Sequence, residues 1–199
     1  SPTTINRKLA SIKSFYRYLF VKGEIRVNPA ELIKPMEYKS PLPRLVTIEE
    51  YKLVSSIIDN LEDKALIEML FIMGIKREEI IIIKRSDFNF NNNTLKIPGK
   101  KERTMSFIPE IIPNTLLWLS QHDSKWLFPS KRNKGNHNTT RWVNKAIRKW
   151  AIKAELPNVT PQALYKSSEI LFLKNSPDTG KKALEEATGV KIPKFPYSL

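Results

Sequence analysis

The most apolar run of the chain, Ala65 to Ile75, is broken by the single carboxylate of Glu68. It is too short to span a bilayer, so it reads as a helix buried inside a protein. A helix apolar on most of its circumference needs neighbours on every side. The 199 residues, 41% of them hydrophobic, suffice for one well-packed domain, or a domain with a small appendage.

The remaining sequence supplies those neighbours. Ser1 to Lys22 places Ile5, Leu9, Ile12, Phe15, Tyr16 and Leu19 at helical spacing. The opposite face of this amphipathic helix carries Arg7, Lys8, Lys13 and Arg17, which suits either solvent or a phosphate backbone. Ile33 to Val46 holds Pro35, Pro41 and Pro43, the composition of an extended linker, and the domain boundary is expected there. Thr47 and Glu50 form a capping box that starts a helix through Ile58. A second helix is expected from about Glu62 to Met73, and a short buried one through Ile83, closed by Ser86 and Asp87.

From Phe88 the period changes. Phe88 and Phe90 alternate with polar residues, Asn91 to Asn93 mark a turn, and Thr94 to Pro98 and Arg103 to Ile108 read as strands. Gly99-Lys100-Lys101-Glu102 joins those strands, so Lys100 and Lys101 stand at a hairpin tip. Helices are expected at about Glu110 to Gln121 and Thr139 to Ala154, with a basic loop of Lys131, Arg132 and Lys134 between them. The fold class expected is mainly α with a small antiparallel β-sheet, an α+β arrangement without internal repeats.

A formal charge of +14 and a pI near 9.9 favour a polyanionic partner, and the spread of Lys and Arg over several elements suits duplex DNA better than a basic tail would. The chain has no cysteine, which excludes disulfides, thiolate catalysis and cysteine-ligated zinc. No metal, other cofactor, membrane or small-molecule substrate is expected. No charged-then-apolar leader opens the sequence, so the expected location is the cytoplasm, in association with the nucleoid if the source is bacterial or archaeal.

Two segments far apart, Gly74-Ile75-Lys76-Arg77-Glu78-Glu79-Ile80 and Thr160-Pro161-Gln162-Ala163-Leu164-Tyr165-Lys166-Ser167, each read as a loop running into a helix. They resemble the two boxes of the tyrosine recombinases, the phage-integrase family with its Xer-type members, G-[LI]-R-x-x-E-[LI] and [ST]-P-H-x-L-R-H-[ST]. Ile5 to Leu9, Gly99 to Arg103 and Leu127-Phe128-Pro129-Ser130 extend the resemblance over nearly the whole chain. It implies that residues 1–32 are the last helix of a core-binding-like domain, 33–46 a linker, and 47–199 a catalytic-domain-like unit. Other recombinase subunits are possible partners.

The resemblance also assigns roles. Lys100, lying 24 residues after Lys76, matches the hairpin lysine that protonates the leaving 5′ oxygen; the bland alternative is a solvated turn lysine. Lys76, Gln162 and Tyr165 occupy the positions of the family's Arg, His and Arg, and Val190 that of the histidine in its L-G-H box. Phosphodiester attack builds negative charge that guanidinium forks meet well. Lys76 keeps the charge without the fork, and Tyr165 loses it. Gln162 can donate a hydrogen bond but is neither acid nor base. Losing one such donor costs on the order of 100- to 1000-fold in rate. Arg77 beside Lys76 could supply a guanidinium and Lys166 could replace the charge lost at Tyr165, but one helical step turns a side chain by about 100°, which speaks against both rescues. Tyr197 is the tyrosine nearest the nucleophile position; it is either a displaced nucleophile or an aromatic packing the tail.

Binding residues fare better. Arg141, Lys145 and Arg148 form a basic stripe opposite Val143, Ile147, Trp150 and Ala151. With Arg7, Lys8, Lys13, Arg17, Lys100, Lys101, Arg103, Lys131 and Arg132 they form the expected DNA surface. The four tryptophans read as core rather than base-stacking residues. Three functions follow in order of expectation: a catalytically inactive DNA-binding relative with an accessory, regulatory or architectural role; an active recombinase rewired around Tyr197, Lys76 and Lys100; and a protein-interaction scaffold.

Overall fold

The apolar run folds as helix α3, Leu61–Phe71, in which every residue from Ala65 to Phe71 is buried. Asn60 starts it, its side chain accepting a hydrogen bond from the Asp63 N–H at 2.8 Å. The computed structural model describes residues 1–38, 44–173 and 177–192, which fall in two compact units, Ser1–Leu42 and Pro43–Leu199.

In the second unit α2 (Ile48–Ile57), α5 (Pro113–Ser120), α6 (Thr140–Lys153) and α7 (Pro161–Ser168) pack around α3, and α8 (Pro177–Thr188) lies on α2. Tyr51 of α2 stacks on Phe71 of α3 with ring centroids 4.3 Å apart, and Phe172 meets the same ring edge-on at 5.4 Å. The expected capping box at Thr47 and Glu50 is present in both directions.

Two carboxylates inside this core hold helices in place. Glu68, 3% exposed, accepts from the Asn114 N–H at 3.2 Å, the Asn114 side-chain amide, the Thr115 N–H at 2.9 Å and the Thr115 hydroxyl at 2.9 Å, and so satisfies the first turn of α5. Burial pushes its carboxyl above the ordinary range, and the Asn114 and Thr115 donors pull it back. Asp63 accepts the indole N–H of Trp150 at 2.7 Å, which ties the fully buried Trp150 of α6 to α3.

The sheet is antiparallel in the order β1 (Phe88–Asn89), β2 (Thr94–Ile97), β3 (Arg103–Ser106), with Leu95 opposite Met105 and Ile97 opposite Arg103. Leu95 and Ile97 face the core while Lys96 faces solvent. The mainly helical fold with a small antiparallel sheet is therefore as expected.

The details differ in three places. The short helix after Lys76 is α4 (Arg77–Ile80), separate from a 3-10 turn at Arg85–Asp87, where the Asp87 carboxylate accepts from the Lys84 N–H at 2.7 Å. The helix expected from Glu110 begins instead as a 3-10 turn, Pro109–Ile111, and α5 restarts at Pro113, whose ring nitrogen has no hydrogen to extend the first turn. Helix α8 and the π-helical stretch Glu169–Leu173 that follows α7 were not anticipated.

In the first unit, α1 (Pro2–Val21) ends at Gly23, which takes the left-handed φ of +77°. The Asn6 amide both donates to the Met36 carbonyl and accepts from its N–H, each at 2.8 Å, so the chain before Tyr38 is pinned beside α1. Among the described residues no helix is long and apolar enough to cross a membrane.

Replacing Glu68 with Ala should lower the unfolding free energy by about 3 kcal/mol, because buried donors of Asn114 and Thr115 lose their acceptor. Leu53→Ala, at an exposed position of α2, should cost about 0.5 kcal/mol or less. Urea unfolding of the two variants checks the difference.

Candidate functional site

The site begins where α3 stops. Gly74 takes φ +58°, and the Ile75 N–H returns to the Met69 carbonyl at 3.0 Å, so the chain leaves the buried helix and turns into α4. Lys76 is the residue before α4, and its N–H donates to the Glu79 carboxylate at 3.1 Å. The same carboxylate accepts both arms of Arg103, at 2.7 and 3.1 Å, from the hairpin strand β3. Glu79 is thus the joint between the first box and the hairpin. Gly99 opens the hairpin turn beside it with φ +131°, a backbone conformation that glycine adopts without strain.

The second box is built by its own cap. The Thr160 hydroxyl accepts from the Ala163 N–H at 3.1 Å and Pro161 occupies the first turn of α7. Ser167, on the same helix, donates to the Ala163 carbonyl at 2.7 Å and accepts from the Val46 N–H at 2.6 Å, which fixes α7 against the segment entering α2.

With α7 packed along α3, the two boxes meet in one cleft of about 280 Å³, lined by Lys76, Arg77, Glu78, Pro161, Gln162, Tyr165 and Lys166. The ammoniums of Lys76 and Lys166 each lie 5.4 Å from the centre of the Tyr165 ring. Lys166 also donates to Glu169 at 2.7 Å, and that hydrogen bond raises the lysine above its ordinary pKa. Arg77 is committed elsewhere. Its Nε donates to Glu78 at 2.7 Å and its Nη1 to Asn144 of α6 at 2.9 Å.

Asn144 shares a face of α6 with Arg141, Lys145 and Arg148, so the contact with Arg77 sets that basic face beside the cleft. Arg141, Lys145 and Arg148 are exposed, while Val143, Ile147, Trp150 and Ala151 are buried on the other side. Lys100 and Lys101 are exposed at the hairpin turn and outside the cleft lining. Arg103 is engaged by Glu79, and Lys131 pairs with Glu62 at 2.7 Å while Arg132 is exposed. On α1, Arg7, Lys8 and Arg17 are exposed and Lys13 donates to the Glu31 carbonyl at 3.3 Å.

Val190 is half-buried against the core and does not line the cleft. Tyr197 lies outside the described residues. Trp150 is fully buried and Trp118 and Trp142 pack against the core, as read from the sequence, whereas Trp126 lies outside the core, with its indole N–H donating to the Gly135 carbonyl at 3.0 Å and the Lys84 and Lys125 ammoniums over its ring. Among the described residues no group of three His, Cys, Asp or Glu side chains could hold a metal ion. Glu79, Asn144 and Glu169 were not singled out from the sequence. Glu79 stands three residues after Lys76 and Glu169 three after Lys166, a spacing that puts acceptors within reach along a helical turn.

A family model described as the phage integrase family matches residues 42–176. A protein of Caldanaerobacter subterraneus named as a tyrosine recombinase is 32% identical over 96% of the chain and 69% of its own length. The tyrosine recombinase XerC of Chlamydia caviae is 27% identical over 88% of the chain and 60% of its own length. The chain therefore spans only part of these relatives. Among solved structures, the integrase of transposon Tn1549 in complex with circular intermediate DNA covers 97% of the chain and 73% of its own, with a TM-score of 0.69 and 16% identity, a likeness of fold.

Arg103→Ala removes the clamp on the hairpin base. Because the Glu79 side chain is only 12% exposed, losing both hydrogen bonds should lower global stability by about 1 to 3 kcal/mol. Amide hydrogen exchange across residues 99–103 should quicken severalfold, which mass spectrometry of exchanged fragments would detect.

Proposed function

The chain belongs to the phage integrase family, that of the tyrosine recombinases, and from that premise we propose that it binds duplex DNA through backbone phosphates without cleaving it. Its role on this reading is accessory, regulatory or architectural in DNA recombination or integration. The observation that carries the reading is the contrast inside one cleft. Gly74, Glu79, Arg103, Thr160 and Ser167 make the turn, clamp, cap and anchor that shape the two boxes, while Lys76, Gln162 and Tyr165 line the cleft at positions that resemble those of the family's Arg, His and Arg.

The chemistry follows from those side chains. A pentavalent phosphoryl transition state needs donors aimed at several equatorial oxygens, and a lysine, an amide and a phenol give point contacts instead of two planar forks. The same groups remain adequate for a ground-state phosphate, which asks only for charge and hydrogen bonds. The exposed stripe of Arg141, Lys145 and Arg148 next to the cleft supplies further phosphate contacts and carries no sequence information directly.

The test is binding to random duplex across a salt series, with denaturing gels run on the same mixtures. Affinity should fall steeply with salt, with no strand covalently attached to protein. A covalent adduct that vanishes in Tyr197→Phe would make the chain an active recombinase. Absence of binding at moderate salt would make it a scaffold. Replacing Arg141, Lys145 and Arg148 together by Gln should reduce the salt slope by about three, one for each phosphate contact removed.

A further inference from the structure

The cleft contains more charge than the comparison of boxes suggests. Tyr165 removes a cation from the second box, yet the next residue, Lys166, reaches back into the same cleft. Its ammonium lies as far from the Tyr165 ring as that of Lys76, 5.4 Å in each case, so the two cations share one aromatic ring. The helical step that should turn residue 166 away is offset by the length of the lysine side chain. Glu169, held at 2.7 Å, fixes where the ammonium sits.

Each feature has a plain chemical consequence. The face of a tyrosine ring carries negative quadrupole charge and attracts an ammonium without consuming an N–H donor, so Lys166, which spends one donor on Glu169 at 2.7 Å, keeps its other two for an anion. Among the described residues Lys76 makes no ion pair, although the Glu78 carboxylate lines the same cleft and feels its charge. Arg77, with its Nε and Nη1 already donating to Glu78 and Asn144, is the weaker candidate for the second charge.

We infer that Lys166 is the second phosphate-gripping cation of this cleft, displaced by one residue from the family's position, with the Tyr165 ring as the wall that spaces it from Lys76. The ligand is the phosphodiester backbone of DNA, which each of the two ammoniums contacts. This rests on the proposal that the cleft binds backbone phosphate. It adds the identity of the group that replaces the lost guanidinium.

The experiment uses the full chain and a random duplex, and measures affinity at fixed salt and the slope against salt for Lys76→Gln, Lys166→Gln, Lys166→Arg and the double variant Tyr165→Arg with Lys166→Gln. Lys166→Gln should weaken binding about three- to tenfold and reduce the salt slope by about one, as loss of one phosphate contact does. Lys166→Arg should retain the affinity. The double variant, which moves the cation back to position 165, should recover most of what Lys166→Gln loses.

If Lys76→Gln weakens binding while Lys166→Gln does not, the cleft grips DNA but the assignment of Lys166 is wrong. If neither matters while the Arg141, Lys145 and Arg148 variant does, the cleft does not bind phosphate and the parent reading fails with it. Circular dichroism melting of each variant separates these outcomes from misfolding. The Lys166–Glu169 pair is partly exposed, so its loss should leave the melting temperature nearly unchanged.

Discussion

A helix buried on nearly every side obliges the chain to surround it, and two of the carboxylates it carries, Glu68 and Asp63, determine how. Glu68 spends its oxygens on the first turn of α5, and Asp63 spends one of its own on the indole of Trp150 in α6. Each is a case in which breaking the set would strand a buried polar group, a larger penalty than the net worth of any single hydrogen bond. Hydrophobic burial holds α5 and α6 against α3, while these hydrogen bonds select the angular position of each. The basic stripe inherits its direction from that choice. Because Trp150 is locked inward, Arg141, Lys145 and Arg148 must face out.

The cleft depends on the same helix in a second way. Its two boxes are separated by some eighty residues and meet because both are attached to α3, one through the Gly74 turn at its end and the other through the packing of α7 along its side. Residues that resemble a catalytic motif in sequence turn out to do structural tasks. Glu79 caps Lys76 and clamps Arg103, Thr160 caps α7, and Ser167 bonds the chain at Val46. Such tasks are indifferent to what the cleft does with a phosphate. A protein can therefore change the groups that stabilise a transition state and keep the frame that presents them.

The legible part of the sequence was the part governed by local rules. The apolar run, the Thr47 capping box, the alternation from Phe88 and the face of α6 each follow from a periodicity or a cap, and the structure reproduces them. Arg103 was expected to face DNA. Its engagement by Glu79 spans 24 residues of sequence and has no local signature. Helix α8 carries a weaker pattern, but Pro177 in its first turn with Leu184 and Ala187 on one face could have revealed it. The π-helical turn after α7 has no comparable signal, and neither does the return of Lys166 to the cleft, because a one-residue displacement on a helix looks unfavourable until the reach of the side chain is known.

The account stands on the cleft being a seat for the DNA backbone that leaves the strands intact. The most direct measurement is photo-crosslinking with p-benzoylphenylalanine in place of Tyr165, an aromatic exchange in the wall of the cleft, followed by recovery of both DNA strands under denaturing conditions. Crosslinking to full-length strands on irradiation, and no attachment in the dark, is the predicted result. Attachment in the dark would show that the protein cleaves and captures DNA. Irradiated mixtures that bind DNA without crosslinking would show that the duplex lies elsewhere on the protein.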